Sequence, residues 1–127
     1  MSLRPSIVIV TLMVSLLAGC SEMPFHKQDE PMIDNTPPTV TLSAPRRADD
    51  HVEVDADAAD QTSPLRRVEY SLDAGPWTPV EAADGVTDSP REQYHIAIDH
   101  LRPGEHLLVV RAYDTANNAG LAKVVIR

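Results

Sequence analysis

The feature that most constrains this sequence is a period-two alternation of apolar and polar residues, which recurs from Thr39 to the C-terminus. Val52, Val54 and Ala56, for example, alternate with acidic residues, whereas no stretch repeats apolar residues at helical spacing. Alternation over about four to eight residues is typical of a strand with one buried face. The pattern predicts about seven strands, near residues 39–44, 51–57, 66–72, 77–81, 93–98, 106–113 and 121–126.

Pro and Gly residues fall between these runs and predict the connections. Residues 73–76 predict a tight turn in which Gly75 supplies a positive φ. Residues 82–92 predict a loop, and residues 114–120 join the last two strands. Short strands with turn signals at this density predict an all-β fold, a single two-sheet sandwich.

The N-terminus has the layout of a secretion signal. Residues 1–4 include one positive charge, and residues 7–17 form an apolar run that is shorter than the roughly 20 residues of a membrane span. The sequence LAGC at positions 17–20 resembles the bacterial lipobox. The resemblance implies cleavage between Gly19 and Cys20, and attachment of diacylglycerol and a further acyl chain to Cys20.

These signals divide the chain into three parts. Residues 1–19 are predicted to be a lipoprotein signal peptide, residues 20–36 a lipidated cysteine with a flexible tether, and residues 37–127 the sandwich. Cys20 is the only cysteine, so the domain is expected to fold without a disulfide. Several acyl chains anchor a protein stably to a membrane. In lipoproteins of this kind Ser21 favours the outer membrane, where the cell has one.

The chain is acidic, with 19 Asp and Glu against 11 Lys and Arg and a net charge of −8. Loss of Arg4 with the signal peptide makes the mature chain one unit more negative. Nucleic-acid binding requires a basic surface, so nucleic acid is excluded as a partner. Attachment to a membrane is therefore expected to come from the acyl chains rather than from attraction to anionic lipids.

Four segments resemble a known module. They are PPTVTL at 37–42, VEYSLDAGPW at 68–77, LRPGEHLLVVRAYD at 101–114 and TANNAGLAKVVIR at 115–127. They resemble bacterial immunoglobulin-like and fibronectin type III-like modules, with one departure: Asn117-Asn118 stands where those modules usually have Gly-Asn. The resemblance implies an Ig-like or fibronectin type III-like β-sandwich. It also implies a role as a spacer, a docking domain or a carbohydrate-binding appendage.

Acidic and amide side chains concentrate in two loops that such a sandwich places at one pole. These candidate metal ligands are Asp57, Asp60, Asp114, Asn117 and Asn118. The linker residues Asp34 and Asn35 enter at the same pole. Calcium takes about six to eight oxygen ligands of this kind, so one interpretation is a calcium site. The other is turn chemistry, because Asp and Asn cap their own backbone.

Trp77 and Tyr113 are the candidates for a platform on which a sugar ring could stack. Tyr70 and Tyr94 lie on the apolar phase of their strands, so they are expected in the core. The sequence therefore offers one pair of aromatic residues to a polysaccharide, and core packing accounts for the others.

Catalysis finds no support in the sequence. There is no nucleophile elbow, phosphate loop or dinucleotide fingerprint, and His95 and His100 have no zinc-like spacing. His106 follows a Pro-Gly corner, where a structural histidine is expected. We therefore expect a non-enzymatic protein with no cofactor beyond the lipid on Cys20 and, in one alternative, calcium.

Three functional hypotheses remain open. The favoured one is a lipid-anchored module that docks onto an unknown envelope protein, which predicts an exposed apolar patch or an unpaired edge strand. The main alternative is binding of peptidoglycan or another polysaccharide, which predicts that Trp77 and Tyr113 are exposed side by side. The third is a calcium-binding spacer, which predicts a melting temperature that rises with calcium and not with magnesium.

Overall fold

The computed structural model describes residues 32–127, and all regular structure in that range is β-strand. The predicted signal peptide, Cys20 and the first part of the predicted tether lie outside the described residues. The strands are β1 (Thr39–Leu42), β2 (Arg46–Ala48), β3 (His51–Ala59), β4 (Leu65–Leu72), β5 (Thr78–Val80), β6 (Arg91–Ile98), β7 (His106–Asp114) and β8 (Ala119–Ile126). A search of the described residues for a helix long and apolar enough to cross a membrane finds none.

The first sheet is built around β3, which pairs antiparallel with three other strands. Because β6 pairs with residues 52–59 of β3, the strands β1 and β2 share its opposite edge. There β1 pairs with residues 56–59 and β2 with residues 51–53. Between the two short strands, Ser43 donates its backbone N–H to the carbonyl of Asp55 at 2.9 Å. This bond keeps both strands along one edge.

The second sheet has the strand order β5-β4-β7-β8, and all of its pairs are antiparallel. β7 is buried at every second position, as the sequence pattern predicts for a strand between a core and solvent. β8 pairs with β7 alone and is therefore an edge strand of this sheet.

One hydrophobic core lies between the two sheets. Its fully buried large side chains come from both sheets and include Val52, Val54, Tyr94, Ile96, Leu65, Val68, Leu108, Val110 and Ile126. The predicted all-β, two-sheet sandwich is therefore confirmed, with eight strands where the alternation predicts about seven. The additional strand is β2, whose sequence Arg-Arg-Ala contains no alternation to reveal it.

The turn that follows β4 differs from the prediction. The sequence predicts a positive φ at Gly75, but the structure has it at Asp73 (φ 50) and Ala74 (φ 59). Gly75 instead donates its N–H to the carbonyl of Leu72 at 2.8 Å and closes the turn. Two successive positive φ values occur in type I′ turns, whose twist matches that of the flanking strands. The stability gained from this matching twist outweighs the energetic cost of placing Ala74 in the left-handed region.

The segment before β1 crosses close to the start of β8. A Cβ atom on Gly120 would lie 1.7 Å from the carbonyl oxygen of Pro38, so a glycine is needed at this crossing. The crossing places Asp34 at the end of the sandwich, where its backbone carbonyl accepts a hydrogen bond from the side chain of Asn118 at 2.9 Å.

Candidate functional site

Three aspartates meet at the pole of the sandwich where β3 ends and β7 turns into β8. Asp60 directly follows β3, Asp114 is the last residue of β7, and Asp34 lies in the segment before β1. One carboxylate oxygen from each residue lies within 4.8 Å of the other two. We call this group the carboxylate pole.

Asp114 is held in place by the turn that follows it. The residue is fully buried. Its Oδ1 accepts the backbone N–H of Asn118 at 2.8 Å, and its Oδ2 accepts the Asn118 side-chain amide at 2.8 Å. The same amide donates to the carbonyl of Asp34, so Asn118 links the β7–β8 turn to the segment before β1.

Asp60 has one satisfied carboxylate oxygen and one that has no partner. Its Oδ1 accepts the backbone N–H groups of Thr62 and Ser63, both at 2.8 Å. Its Oδ2 is buried and makes no hydrogen bond, although only 6% of the residue is exposed. A buried acceptor without a partner costs about 1–3 kcal/mol, so a group that binds this oxygen would stabilise the fold.

Asp34 completes the pole from the N-terminal side. The hydroxyl of Ser63 donates to its Oδ2, and the backbone N–H of Thr36 donates to its Oδ1 at 2.9 Å. The hydrogen bond from Ser63 has the largest effect on the pKa of the Asp34 carboxyl, and together the two bonds lower it below its usual value. The carboxyl is therefore ionised at neutral pH. The residue as a whole is only partly buried, and its carboxylate is the part that faces the other two.

The pole is negatively charged, and among the described residues no cationic side chain forms an ion pair with its carboxylates. Within residues 32–127, the ion pairs formed by Arg and His side chains involve other acids, such as Asp55, Asp57 and Asp73. Closely spaced carboxylates repel each other strongly when they are buried. An oxygen-only set of this kind suits a hard divalent cation such as calcium.

The structure brings together only part of the predicted metal-ligand set. Asp60, Asp114 and Asn118 lie at the pole with Asp34. Asp57 does not join them, because it points away from the core on β3 and its carboxylate accepts the guanidinium of Arg91 at 2.9 Å. Asn117 has a left-handed φ of 71° in the turn, and its Oδ1 accepts a hydrogen bond from the Arg66 guanidinium at 3.2 Å. Asn35 is exposed to solvent.

Ser63 is a pole residue that the sequence analysis does not identify. It is buried, with 9% of the residue exposed, and it bonds to both Asp34 and Asp60. The only sequence signal for it is the spacing of three residues from Asp60, which is typical of an Asp that caps a turn.

Trp77 and Tyr113, the predicted sugar platform, are stacked with arginines. The guanidinium of Arg111 lies 3.7 Å from the centre of the Trp77 ring and 5.3 Å from that of Tyr113. The guanidinium of Arg67 lies 4.1 Å from the centre of the Tyr113 ring. The carboxylate of Glu69 accepts a hydrogen bond from the Arg111 guanidinium at 2.7 Å. An arginine therefore lies over each aromatic ring, and sugar binding at this pair stays a prediction.

The edge of the second sheet exposes apolar side chains. Leu121 on β8 is 61% exposed. Val125 on β8 and Leu107 on β7 lie opposite each other and are 38% and 40% exposed. They lie on the outer face of the sheet, next to an edge with no further strand in it. The unpaired edge is what the docking hypothesis predicts, but Lys123 lies between Leu121 and Val125 on the same face, so these side chains do not form one continuous apolar patch.

Comparisons with known proteins add information on the fold alone. No protein-family model matches the chain, and no curated protein matches it. Among solved structures, the sulfane dehydrogenase SoxCD from Paracoccus pantotrophus is similar over 65% of this chain, with a TM-score of 0.55 and 22% identity. The match covers 23% of the SoxCD chain, so this chain corresponds to a small part of that protein. At this identity the similarity supports a shared β-sandwich fold.

Proposed function

We propose that this protein is a lipid-anchored, non-enzymatic β-sandwich module whose carboxylate pole binds calcium. The observation that carries the proposal is the convergence of Asp34, Asp60 and Asp114 around the buried, unpartnered Oδ2 of Asp60. A bound cation would satisfy that oxygen and neutralise most of the charge of the three carboxylates. Calcium fits better than magnesium because it accepts irregular coordination shells completed by water, whereas magnesium demands a near-ideal octahedron.

The proposed consequence is control over how the sandwich sits on its membrane tether. Asp34 belongs to the segment that leads back to Cys20, whereas Asp60 and Asp114 belong to the sandwich. A cation shared by the three residues holds that segment against the pole. Residues 20–34 span at most about 50 Å when fully extended, so a lipid on Cys20 would keep the pole within about that distance of the membrane.

The test is thermal unfolding of the mature chain with Cys20→Ser, in chelator, calcium and magnesium. Extracellular calcium modules have dissociation constants of about 0.1–1 mM, so about 10 mM calcium stabilises the fold by about 1.4–2.7 kcal/mol. For a domain of this size the melting temperature should rise by about 6–20 °C. Magnesium should have little effect.

Three variants make the test specific. Asp60→Asn and Asp114→Asn should abolish the calcium response, because each removes a carboxylate from the pole. Asp57→Asn is the matched control, since it removes an aspartate that pairs with Arg91 outside the pole, and its response should equal that of the wild type. A wild-type melting temperature that does not respond to calcium would refute the proposal.

A second candidate function is docking onto another envelope protein through the outer face of β7 and β8. The supporting observation is the exposed group Leu107, Leu121 and Val125 beside an edge strand. Crosslinking in living cells with the full-length lipoprotein tests it, with Leu121→Glu to disrupt the surface and Cys20→Ala to remove the anchor. A single protein partner lost in both variants supports docking. Recovery of glycan without protein favours the polysaccharide alternative.

A further inference from the structure

Two arginines on the outer face of the second sheet are fixed in place by stacking. Arg67 on β4 lies directly opposite Tyr113 on β7, and its guanidinium lies 4.1 Å from the centre of that ring. The guanidinium of Arg111 lies over the Trp77 ring at 3.7 Å. Stacking of this kind restricts a long side chain to few conformations, so little further conformational entropy is lost when the arginine binds a ligand.

Glu69 pairs with both arginines through their Nε atoms. Its Oε2 accepts the Nε–H of Arg111 at 2.7 Å, and its Oε1 lies 3.6 Å from Nε of Arg67. Only 15% of the Glu69 side chain is exposed, so the carboxylate lies beneath the guanidinium groups rather than in solvent. Within residues 32–127, the terminal amino groups of both guanidiniums form no hydrogen bond. Each arginine can therefore offer two parallel N–H donors to a carboxylate.

This face is positively charged in an acidic protein. The chain as a whole has a net charge of −8. The strands β4, β7 and β8 have only Glu69 and the buried Asp114 as acids, and their arginine and lysine residues are Arg66, Arg67, Arg111 and Lys123. Lys123 lies two residues along β8 from Leu121, the partner of Arg111, and is therefore a diagonal neighbour of that arginine. A ligand that is complementary to this face carries negative charge.

We propose that this face binds a polysaccharide whose sugar rings carry carboxylate groups. The planar guanidinium matches the geometry of a carboxylate. Arg67, Arg111 and Lys123 lie on three neighbouring strands that are about 4.8 Å apart, so they form a row across the sheet that suits carboxylates repeated along a polymer. The Tyr113 hydroxyl and the Trp77 indole N–H add groups that can bond to the hydroxyls of the same sugar rings, which an acidic peptide lacks.

The aromatic residues then have a different role from the one that their sequence positions suggest. A stacking platform for sugars needs uncovered rings, whereas an arginine lies over the rings of Trp77 and Tyr113. In the proposed site the rings support the arginines, and the arginines contact the ligand. Because no carboxylate of the pole takes part, binding at this face is independent of calcium.

Calorimetric titration with oligogalacturonate tests the proposal on the full-length chain purified in detergent, in chelator so that calcium cannot bridge the sugar to the carboxylate pole. We expect binding of oligogalacturonate and none of dextran, which is uncharged. Arg67→Gln and Arg111→Gln should each weaken binding at least about fivefold. Arg67→Lys should weaken it almost as much, because lysine keeps the charge but loses the planar pair of donors. Arg91→Gln is the matched control, since that arginine pairs with Asp57 on the other sheet, and it should bind as the wild type does.

The outcomes that contradict the proposal are distinct. Absence of oligogalacturonate binding, or unchanged affinity in the Arg67→Gln, Arg111→Gln double variant, overturns it. Equally tight binding of polyglutamate overturns the choice of a polysaccharide and assigns the face to an acidic peptide. Trp77 is the only tryptophan of the chain, so its fluorescence reports on this face in the wild-type protein and should change as oligogalacturonate binds. Emission that stays constant while the sugar binds refutes the site even if an arginine variant fails to fold.

Discussion

Replacing Asp60 by Asn separates the two parts of the calcium proposal, which are repulsion among the carboxylates and its relief by a bound ion. Asparagine retains an Oδ1 that can accept the N–H groups of Thr62 and Ser63. It also places an NH₂ group where Oδ2 now has no partner, next to carboxylates that can accept from it. The substitution therefore preserves the turn and removes one of three negative charges.

The size of the effect follows from the distances at the pole. The carboxylates of Asp60 and Asp114 approach within 4.8 Å, and at an effective dielectric of about 20 two such charges repel by about 3.5 kcal/mol. The unpartnered Oδ2 adds a cost of about 1–3 kcal/mol. Because water and small side-chain shifts relieve part of this total, we expect Asp60→Asn to stabilise the cation-free fold by about 1–3 kcal/mol.

Urea unfolding at neutral pH measures this change, once in chelator and once in about 10 mM calcium. In chelator the variant should be more stable than the wild type. In calcium the wild type should gain about 1.4–2.7 kcal/mol and the variant almost nothing, so the difference shrinks or reverses. Asp57→Asn should change stability by less than about 1 kcal/mol in both solutions, since it breaks only a surface ion pair. A loss of stability by Asp60→Asn in chelator would refute the reasoning, because the carboxylate would then stabilise the apo fold.

Three other predictions concern the scaffold. Gly120→Ala should lower the free energy of unfolding by about 3 kcal/mol, because the new Cβ would lie 1.7 Å from a backbone oxygen. Gly85→Ala should lower it by only about 1 kcal/mol, because its Cβ meets nothing within 4 Å and only the positive φ is unfavourable. Equal losses for the two variants in urea unfolding would contradict this. Ala74→Gly should raise the stability by about 1 kcal/mol, since the alanine has a φ of 59°, and a lower melting temperature would refute it. A hydrogen bond to Asp73 raises the pKa of His106, so its stabilisation is full below about pH 6.5 and lost as the pH rises through the folded pKa. The melting temperature should therefore fall between about pH 6 and pH 8, and fall less in His106→Gln, whereas equal slopes would remove His106 as the cause.

His106 also illustrates what the sequence predicts well. Its place after a Pro-Gly corner predicts a structural histidine, and in the structure it bonds to the carbonyl of Arg102 at 2.7 Å and to Asp73 at 2.6 Å. The long strands are also predicted well, because burial of one face imposes a period of two on their sequence. Strand β2 escapes prediction because three exposed or half-buried residues are too few to show a period.

The candidate metal site depends on contacts that the sequence encodes less directly. Asp60 and Asp114 can be predicted to meet, because Asp60 follows β3, Asp114 ends β7, and both strands end at the same pole. Asp57 shows the limit of that argument: it continues the polar phase of β3, so the alternation that defines the strand also places it on the outer face. The contact of His95 with Asp55 depends on the register between β3 and β6, which residue spacing along the chain does not contain.

If Cys20 carries the proposed lipid anchor, calcium binding at the carboxylate pole and tension on the segment that leads to Cys20 are coupled. Asp34 is both a proposed calcium ligand and a residue of the segment that leads to Cys20, so calcium binds more tightly when this segment lies against the sandwich. Thermodynamic linkage then requires the converse: a force or partner that pulls Asp34 from the pole lowers the calcium affinity by the same factor. At calcium concentrations near the dissociation constant, a pull of this kind would therefore release both the calcium and the segment that contains Asp34. Under that proposal, the distance that the sandwich can reach from its anchor changes with calcium without any change in its fold.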